Sequence, residues 1–176
     1  MSQEISRTDH PHSDLIADPE HLEQLHPDVV KVWRIKQGLA AGLILLGALV
    51  YDVTNIFDES RAIPLFLLSG CVLALGVAFL VLIPRLRYRF WRYALHTDEL
   101  YLRYGVINRV WTVVPLMRIQ HLDVSQDVVE REFDLGKLIV HTAGTRSSTV
   151  IVPGLELDLA ERLRDDMKAF IIDEAL

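Results

Sequence analysis

The sequence is poor in cysteine and has no excess of positive charge, and both shortages exclude classes of function. Cys71 is the only cysteine among 176 residues, so an intrachain disulfide and a metal site built on several cysteines are excluded. The formal net charge is −6, which argues against nucleic acid as the main partner. A secretory signal peptide needs a basic start and an apolar core within roughly the first 15–30 residues, and this pattern is absent.

The sequence also lacks the common catalytic patterns. It has no Gly-rich phosphate loop, no Ser in a nucleophile-elbow context and no His-Glu-x-x-His. His121 and Asp123 share one face of a predicted strand, so they could act as a base and its orienter, but a polar surface pair is the favoured interpretation. We therefore expect no catalytic residue, no metal and no cofactor. The histidines near the N-terminus match no metal-site spacing that we can name: His10, His12, His21 and His26.

What the sequence does contain is a long uncharged run at Ile63–Ile83. Its 21 residues reach the length of about 20 apolar residues that a helix needs to cross a hydrocarbon core. The run therefore predicts a membrane-spanning helix. Pro84 follows at once, and we expect the helix to stop there because proline lacks the N–H of a helical hydrogen bond.

A shorter uncharged run precedes it. Fifteen uncharged residues lie between Lys36 and Asp52, and continuation to Phe57 would give a first span at residues 37–57. An acid within a span can belong to an ion path, but Asp52 lies near the polar end of this one, which favours a position among the lipid headgroups. The second span, at residues 63–83, follows after five residues. The two spans therefore predict an antiparallel hairpin.

Basic residues flank the outer ends of this hairpin. Lys31, Arg34 and Lys36 precede the first span, whereas the connection carries only Arg61. The positive-inside rule then predicts a multi-pass protein of the plasma or inner membrane with both termini in the cytoplasm. A basic neck follows the second span, and we expect its residues to contact the membrane surface: Arg85, Arg87, Arg89, Trp91 and Arg92.

The remaining sequence divides into a tail and a domain. Residues 1–31 hold seven acids and two bases and read as an acidic, largely disordered cytoplasmic tail, with a possible short helix at Asp18–Val32. Residues 32–92 form the hairpin and its neck, and residues 93–176 form a cytoplasmic domain. The charge is uneven, because Pro84–Arg118 has seven Arg and two acids, whereas the chain from Ile119 onward has twelve acids and six bases.

Short β-rich segments separated by Gly and Pro fill most of the domain, and one helix closes it. The segments with this pattern are 93–96, 99–104, 110–114, 119–125, 137–142 and 149–152. After Glu156, apolar residues recur at helical spacing through Leu163, Met167 and Phe170. This apolar stripe needs a surface to cover. The order predicts an α+β domain: a strongly bent antiparallel sheet or partial barrel, capped by the C-terminal helix.

Several stretches resemble the bacterial membrane-flanked PH-like domain family and its small YdbS-like members. The most specific are Val114-Pro-Leu-Met-Arg-Ile-Gln120 and the turn Thr142-Ala-Gly144, and Arg131-Glu-Phe133 is also similar. The resemblance covers residues 32–176 and implies about seven strands before the C-terminal helix. One departure is Asp134, where the family usually has Gly. Asp tolerates left-handed backbone better than most residues, so we expect the turn to survive.

The resemblance implies a non-enzymatic protein that uses its domain for protein interaction or assembly at the membrane. It also implies self-association, or association with a larger membrane protein that carries repeated related domains. Alternatives are an accessory subunit of a transporter or export system, and a module that senses anionic lipid. The resemblance marks these positions as candidates for interaction: Pro115, Arg118, Gln120, Arg131, Phe133 and Gly144. Arg118 could equally satisfy backbone groups near Pro115 or pair with Glu130 or Glu132.

Overall fold

The computed structural model of the protein describes residues 22–57, 64, 66–96, 98–143 and 149–174. Two long helices come first, and strands with two further helices follow. In chain order the elements are α1 (Val29–Thr54), α2 (Leu67–Phe90), β1 (Arg92–Leu95), β2 (Glu99–Tyr104), β3 (Val110–Pro115), a 3-10 turn (Leu116–Arg118), β4 (Ile119–Ser125), α3 (Val128–Arg131), β5 (Leu135–Thr142), β6 (Thr149–Glu156) and α4 (Leu157–Glu174).

Helices α1 and α2 pack against each other as an antiparallel hairpin. Gly76 lies next to Ala41 midway along the pair, and Asp52 meets Ser69 near the connection. Both helices are long and apolar enough to cross a membrane, and only 11% of the most apolar stretch of each is buried. Helices with this much exposed apolar surface suit a lipid environment better than the core of a soluble domain.

Helix α2 does not end at Pro84, contrary to our prediction. It continues to Phe90, with Pro84 buried inside it. Proline removes one helical hydrogen bond, but packing beyond it can hold the helix together. The last turns make such contacts, because the Arg87 guanidinium lies 4.5 Å from the centre of the Trp33 ring on α1. Tyr88 packs against the core of the domain.

The strands form two three-stranded antiparallel sheets, in the orders β1-β2-β3 and β4-β5-β6. The prediction of a PH-like antiparallel domain with a C-terminal helix is therefore confirmed in outline. The described residues contain six strands, not about seven, and they form no closed barrel. Between β4 and β5 the chain makes the short helix α3 instead of another strand, because Asp127 and Glu130 close a capping box there.

Helix α4 covers the second sheet with the apolar stripe that the sequence predicts. Ala160 and Met167 are 0% and 1% exposed, and Leu163 and Phe170 pack against the same core. The sheet contributes Leu138, Val140 and Val152, which are fully buried. The amphipathic pattern of this helix was therefore sufficient to predict its place.

Residues just before α1 belong to the domain, although we assigned them to the acidic tail. Glu23 and Tyr93 exchange two backbone hydrogen bonds of 2.7 and 3.0 Å, and the N–H of His26 donates to the carbonyl of Gly154 at 2.9 Å. Leu25 and Val29 are each 2% exposed, in one core with both sheets. The predicted boundary at residue 32 therefore divides a packed unit. Residues 1–21 of the predicted tail lie outside the described residues.

Two turns depend on left-handed backbone. Asp134, which stands where the family usually has Gly, has φ +51°, so the predicted turn is confirmed. Gly154 has φ +62°, and an added Cβ there would lie 2.3 Å from a methyl group of Val29. The backbone of β6 at Gly154 thus lies close against the Val29 side chain at the start of α1.

Candidate functional site

The first candidate site is the junction between α1 and α3, which we call the hairpin junction: Lys36, Asp127, Glu130 and Lys137. The Lys36 ammonium donates to Asp127 Oδ2 and, at 2.9 Å, to Glu130 Oε1. Lys137 lies 3.5 Å from Glu130 Oε2 and 3.7 Å from Asp127 Oδ2. The Glu130 side chain is only 8% exposed, so its charge is satisfied almost entirely by these partners.

The same two acids cap helix α3. Asp127 Oδ1 accepts from the N–H groups of Val129 and Glu130 at 3.1 and 3.0 Å, and Glu130 Oε2 accepts from the N–H of Asp127 at 3.0 Å. Burial alone would raise the pKa of Asp127, but the Lys36 hydrogen bond and the backbone donor outweigh it and lower that pKa to about 2. The junction thus holds two carboxylates between two lysines.

Sequence reasoning missed this junction. The spacing Asp127-x-x-Glu130 is a readable capping-box signal. The contact to Lys36 spans more than 90 positions, and nothing local indicates it. The alternative that Arg118 pairs with Glu130 is wrong, because Lys36 and Lys137 occupy that carboxylate.

The neck residues predicted to contact the membrane surface divide into two groups. Arg85, Arg87 and Arg89 are exposed on the last turns of α2. Trp91 is only 4% exposed and stacks on Tyr104 with ring centres 5.1 Å apart, so this burial contradicts a membrane contact. Arg92 is half-buried and donates to the carbonyl of Trp91 at 2.7 Å.

The positions singled out by the family resemblance do not converge on one site. Pro115 ends β3, and the exposed Arg118 and Gln120 follow it. The carbonyl of Arg118 accepts a hydrogen bond from the N–H of Ala143, so the 3-10 turn is linked to the end of β5. Arg131 is exposed on α3, and the half-buried Phe133 packs on the core beside the Lys31 ammonium. Gly144 lies outside the described residues.

His121 and Asp123 do contact each other. His121 Nε2 lies 2.9 Å from Asp123 Oδ1, and His141 Nε2 on the neighbouring strand lies 3.4 Å from Asp123 Oδ2. The His121 and Asp123 side chains are 68% and 47% exposed. His121 also lines an open cavity of about 470 Å³ with Arg164, Asp165 and Lys168 of α4, but Asp123 and His141 are not among its described lining residues. Within the described parts of the chain, no group of three or more His, Cys, Asp or Glu side chains is placed to hold a metal ion.

Asp52 is buried within the hairpin, at 3% exposure, and lies beside Ser69. Its Oδ2 accepts a 3.3 Å hydrogen bond from the N–H of Ser69, the third residue of α2. The residue before α2, Phe66, offers no side-chain cap. Asp52 therefore supplies from α1 the acceptor that the start of α2 lacks, which is a structural use for a buried acid. Our placement of Asp52 among the headgroups did not anticipate this burial.

A further candidate is the outer face of the first sheet, which we call the β3 face: Tyr101, Arg103, Trp111 and Val113. Trp111 is 54% exposed and Val113 38% exposed, opposite Arg103 and Tyr101 in the register of β2 and β3. The Arg103 guanidinium lies 5.6 Å from the centre of the Trp111 ring. A hydrogen bond to Glu99 raises the pKa of Tyr101 to about 12. Strand β3 is also the edge of its sheet within the described residues.

Comparison with known proteins shows the family to which this architecture belongs. The sequence profile described as the bacterial PH domain matches residues 39–171. The chain is also 31% identical, over 147 residues, to the UPF0699 transmembrane protein YdbS of Bacillus subtilis (strain 168), covering 82% of this chain and 89% of that protein. No solved structure matches the chain. With its two apolar helices and its antiparallel domain, the chain is a membrane protein that belongs to the bacterial PH domain family.

Proposed function

We propose that this protein is a non-enzymatic, multi-pass protein of the inner membrane whose PH-like domain associates, in the cytoplasm, with a second copy of the chain. The observation that carries the proposal is the β3 face. It exposes a Trp and a Val on a strand with no further neighbour among the described residues. Exposed aromatic side chains on an unpaired edge are typical of surfaces that bind protein.

The distribution of charge supports a second copy as the partner. The stretch Pro84–Arg118 contains the whole first sheet and has seven Arg and two acids. The part of the chain from Ile119 onward contains the second sheet and α4, with twelve acids and six bases. Two copies side by side in one membrane can place the basic part of one next to the acidic part of the other.

The bases around the hairpin support the cytoplasmic location. Seven of them flank its outer ends, and a single Arg lies in the connection. The seven are Lys31, Arg34, Lys36, Arg85, Arg87, Arg89 and Arg92. By the positive-inside rule this asymmetry favours a hairpin that returns the chain to the cytoplasm.

Co-purification of two differently tagged copies from one cell, in mild detergent, tests the proposal. We expect each tag to recover the other, and we expect Trp111→Ser to abolish this recovery. The matched control is Val128→Ser, because Val128 is an apolar residue of α3 with 77% exposure away from the β3 face. Recovery of a single tag from the wild-type protein would contradict self-association, and equal loss in both variants would contradict the assignment to the β3 face.

A further inference from the structure

The structure contains an open cleft at the point where the second long helix meets the domain, which we call the juxtamembrane cleft. It has a volume of about 450 Å³, within the range of small-molecule sites. Helix α2 forms one wall, and the ends of β2, β3 and β6 form the others. Its lining residues are Ile83, Arg87, Trp91, Tyr104, Gly105, Val106, Thr112, Thr149, Val150 and Ile151.

The cleft lies at the level of the predicted membrane surface. Ile83, at one end of the lining, is the last residue of the uncharged run that predicts the second span. Arg87 follows one helical turn later, toward the domain. The cleft thus runs from the edge of the hydrocarbon region into the headgroup region, so a lipid of the cytoplasmic leaflet can enter it without leaving the bilayer.

The lining is amphipathic and carries one sign of charge. Ile83, Val106 and Val150 provide apolar surface, whereas Thr112 and Thr149 provide hydroxyl groups. Among the described lining residues, Arg87 is the only charged one and none is an acid. This combination suits an amphiphile with an acyl chain and an anionic headgroup.

Arg87 is positioned for such a headgroup. Its guanidinium lies 4.5 Å from the centre of the buried Trp33 ring, which fixes one of its faces. Among the described residues, the Arg87 guanidinium has no ion-pair partner and no hydrogen-bond acceptor. A guanidinium held by stacking keeps its N–H edge available for a phosphate, which it can bind through two parallel hydrogen bonds.

We propose that the juxtamembrane cleft binds an anionic phospholipid of the cytoplasmic leaflet, with Arg87 contacting the headgroup phosphate and Ile83 lying along the acyl chain. The site is separate from the β3 face, because Thr112 lies between Trp111 and Val113 in the strand and therefore faces the opposite side of the sheet. The proposal does not depend on self-association.

Retention of lipid by the full-length chain tests the site. The protein is reconstituted with phosphatidylcholine and phosphatidylglycerol, extracted in mild detergent, washed with high salt and analysed for retained phospholipid by native mass spectrometry. We expect the wild type to retain phosphatidylglycerol in preference to phosphatidylcholine. We expect Arg87→Gln to reduce this retention about tenfold, the factor expected when a hydrogen bond to a charged group is lost.

Arg89→Gln is the matched control, since it removes the same charge from the same helix, about 200° around its axis from Arg87. High salt screens non-specific attraction, so we expect this variant to retain phosphatidylglycerol within about twofold of the wild type. Thr112→Glu is a second test that leaves Arg87 in place. We expect the new carboxylate to form an ion pair with the Arg87 guanidinium and so to displace the lipid phosphate.

Three results would overturn the proposal. The first is equal retention by the Arg87→Gln and Arg89→Gln variants. The second is equal retention of phosphatidylcholine and phosphatidylglycerol by the wild type. The third is displacement of the phosphatidylglycerol by millimolar inorganic phosphate, which would assign the cleft to a soluble anion instead of a lipid.

Discussion

Replacement of Lys36 by Met should make the hairpin junction between α1 and α3 easier to open. Lys36 is the one residue of α1 that contacts both acids of the hairpin junction. Methionine keeps the length and apolar stem of lysine but removes the ammonium, so the packing of α1 changes little. The perturbation therefore isolates the charge.

The structure sets the size of the effect. Glu130 is 8% exposed and would lose a 2.9 Å charge-assisted bond, which costs about 1.5–3 kcal/mol. The cost stays below that of a fully uncompensated buried charge because Lys137 remains 3.5 Å away. Asp127 and Lys36 are each more than a third exposed, so their contact adds at most about 1 kcal/mol. We expect local opening to become easier by about 2–3 kcal/mol.

Hydrogen exchange of the full chain in detergent micelles measures this opening directly. The amides of Val129 and Glu130 are bonded to Asp127 and report on the junction. Lys31→Met is the control, because that ammonium is 61% exposed and pairs with Asp28 at the surface. Its effect should stay below about 1 kcal/mol.

A double-mutant cycle with Glu130→Gln decides whether the pair itself is responsible. We expect the two changes together to cost clearly less than the sum of the single changes, because each removes the same interaction. Unchanged exchange in Lys36→Met, or additive effects in the cycle, would refute the argument from burial and distance.

Three further outcomes follow from the structure. Because Lys36 and a backbone donor lower the pKa of Asp127 to about 2, the junction should be fully stabilising above about pH 4 and should weaken as the pH falls toward 2. In Lys36→Met the protection of the Val129 and Glu130 amides should depend less on acid, because only the backbone donor and Lys137 then remain to lower that pKa. Asp52→Leu should lower the free energy of unfolding by about 1–3 kcal/mol. Asp52→Asn keeps an acceptor for the N–H of Ser69, so it should lower that free energy by less. Equal costs would argue against the cap. Gly154→Ala should destabilise the chain by about 2–4 kcal/mol, since it combines left-handed strain with a clash against Val29. Gly42→Ala, where an added Cβ meets no neighbour within 4 Å, should cause no loss of stability in the same melting assay.

The parts of the fold that the sequence predicted are those with a local, repeated signal. The uncharged run ending at Ile83 needs only its own length to indicate a membrane helix. The stripe through Leu163 and Met167 needs only helical spacing to indicate a buried face. The left-handed turn at Asp134 was expected from the family resemblance, and it survives because Asp tolerates this backbone conformation.

The parts that it did not predict depend on contacts between distant residues. Trp91 has the composition of an interfacial anchor, but Tyr104 and the core enclose it. Pro84 would end an isolated helix, but packing of the following turns maintains it. Leu25 and Val29 carry an apolar spacing that the surrounding acids and histidines obscure. The juxtamembrane cleft, which brings together α2 and three strands, has no signature along the chain.

The burial of Leu25, Val29 and Val32 in the domain core has a mechanical consequence. Helix α1 is continuous over 26 residues, from this core to the far end of the hairpin, a length of about 39 Å. Because α1 has no flexible joint between the domain core and the hairpin, the sheets and the hairpin should rotate as one body. A bilayer whose thickness tilts the hairpin would turn the sheets through the same angle. The orientation of the domain relative to the membrane plane would therefore change together with the tilt of the two helices.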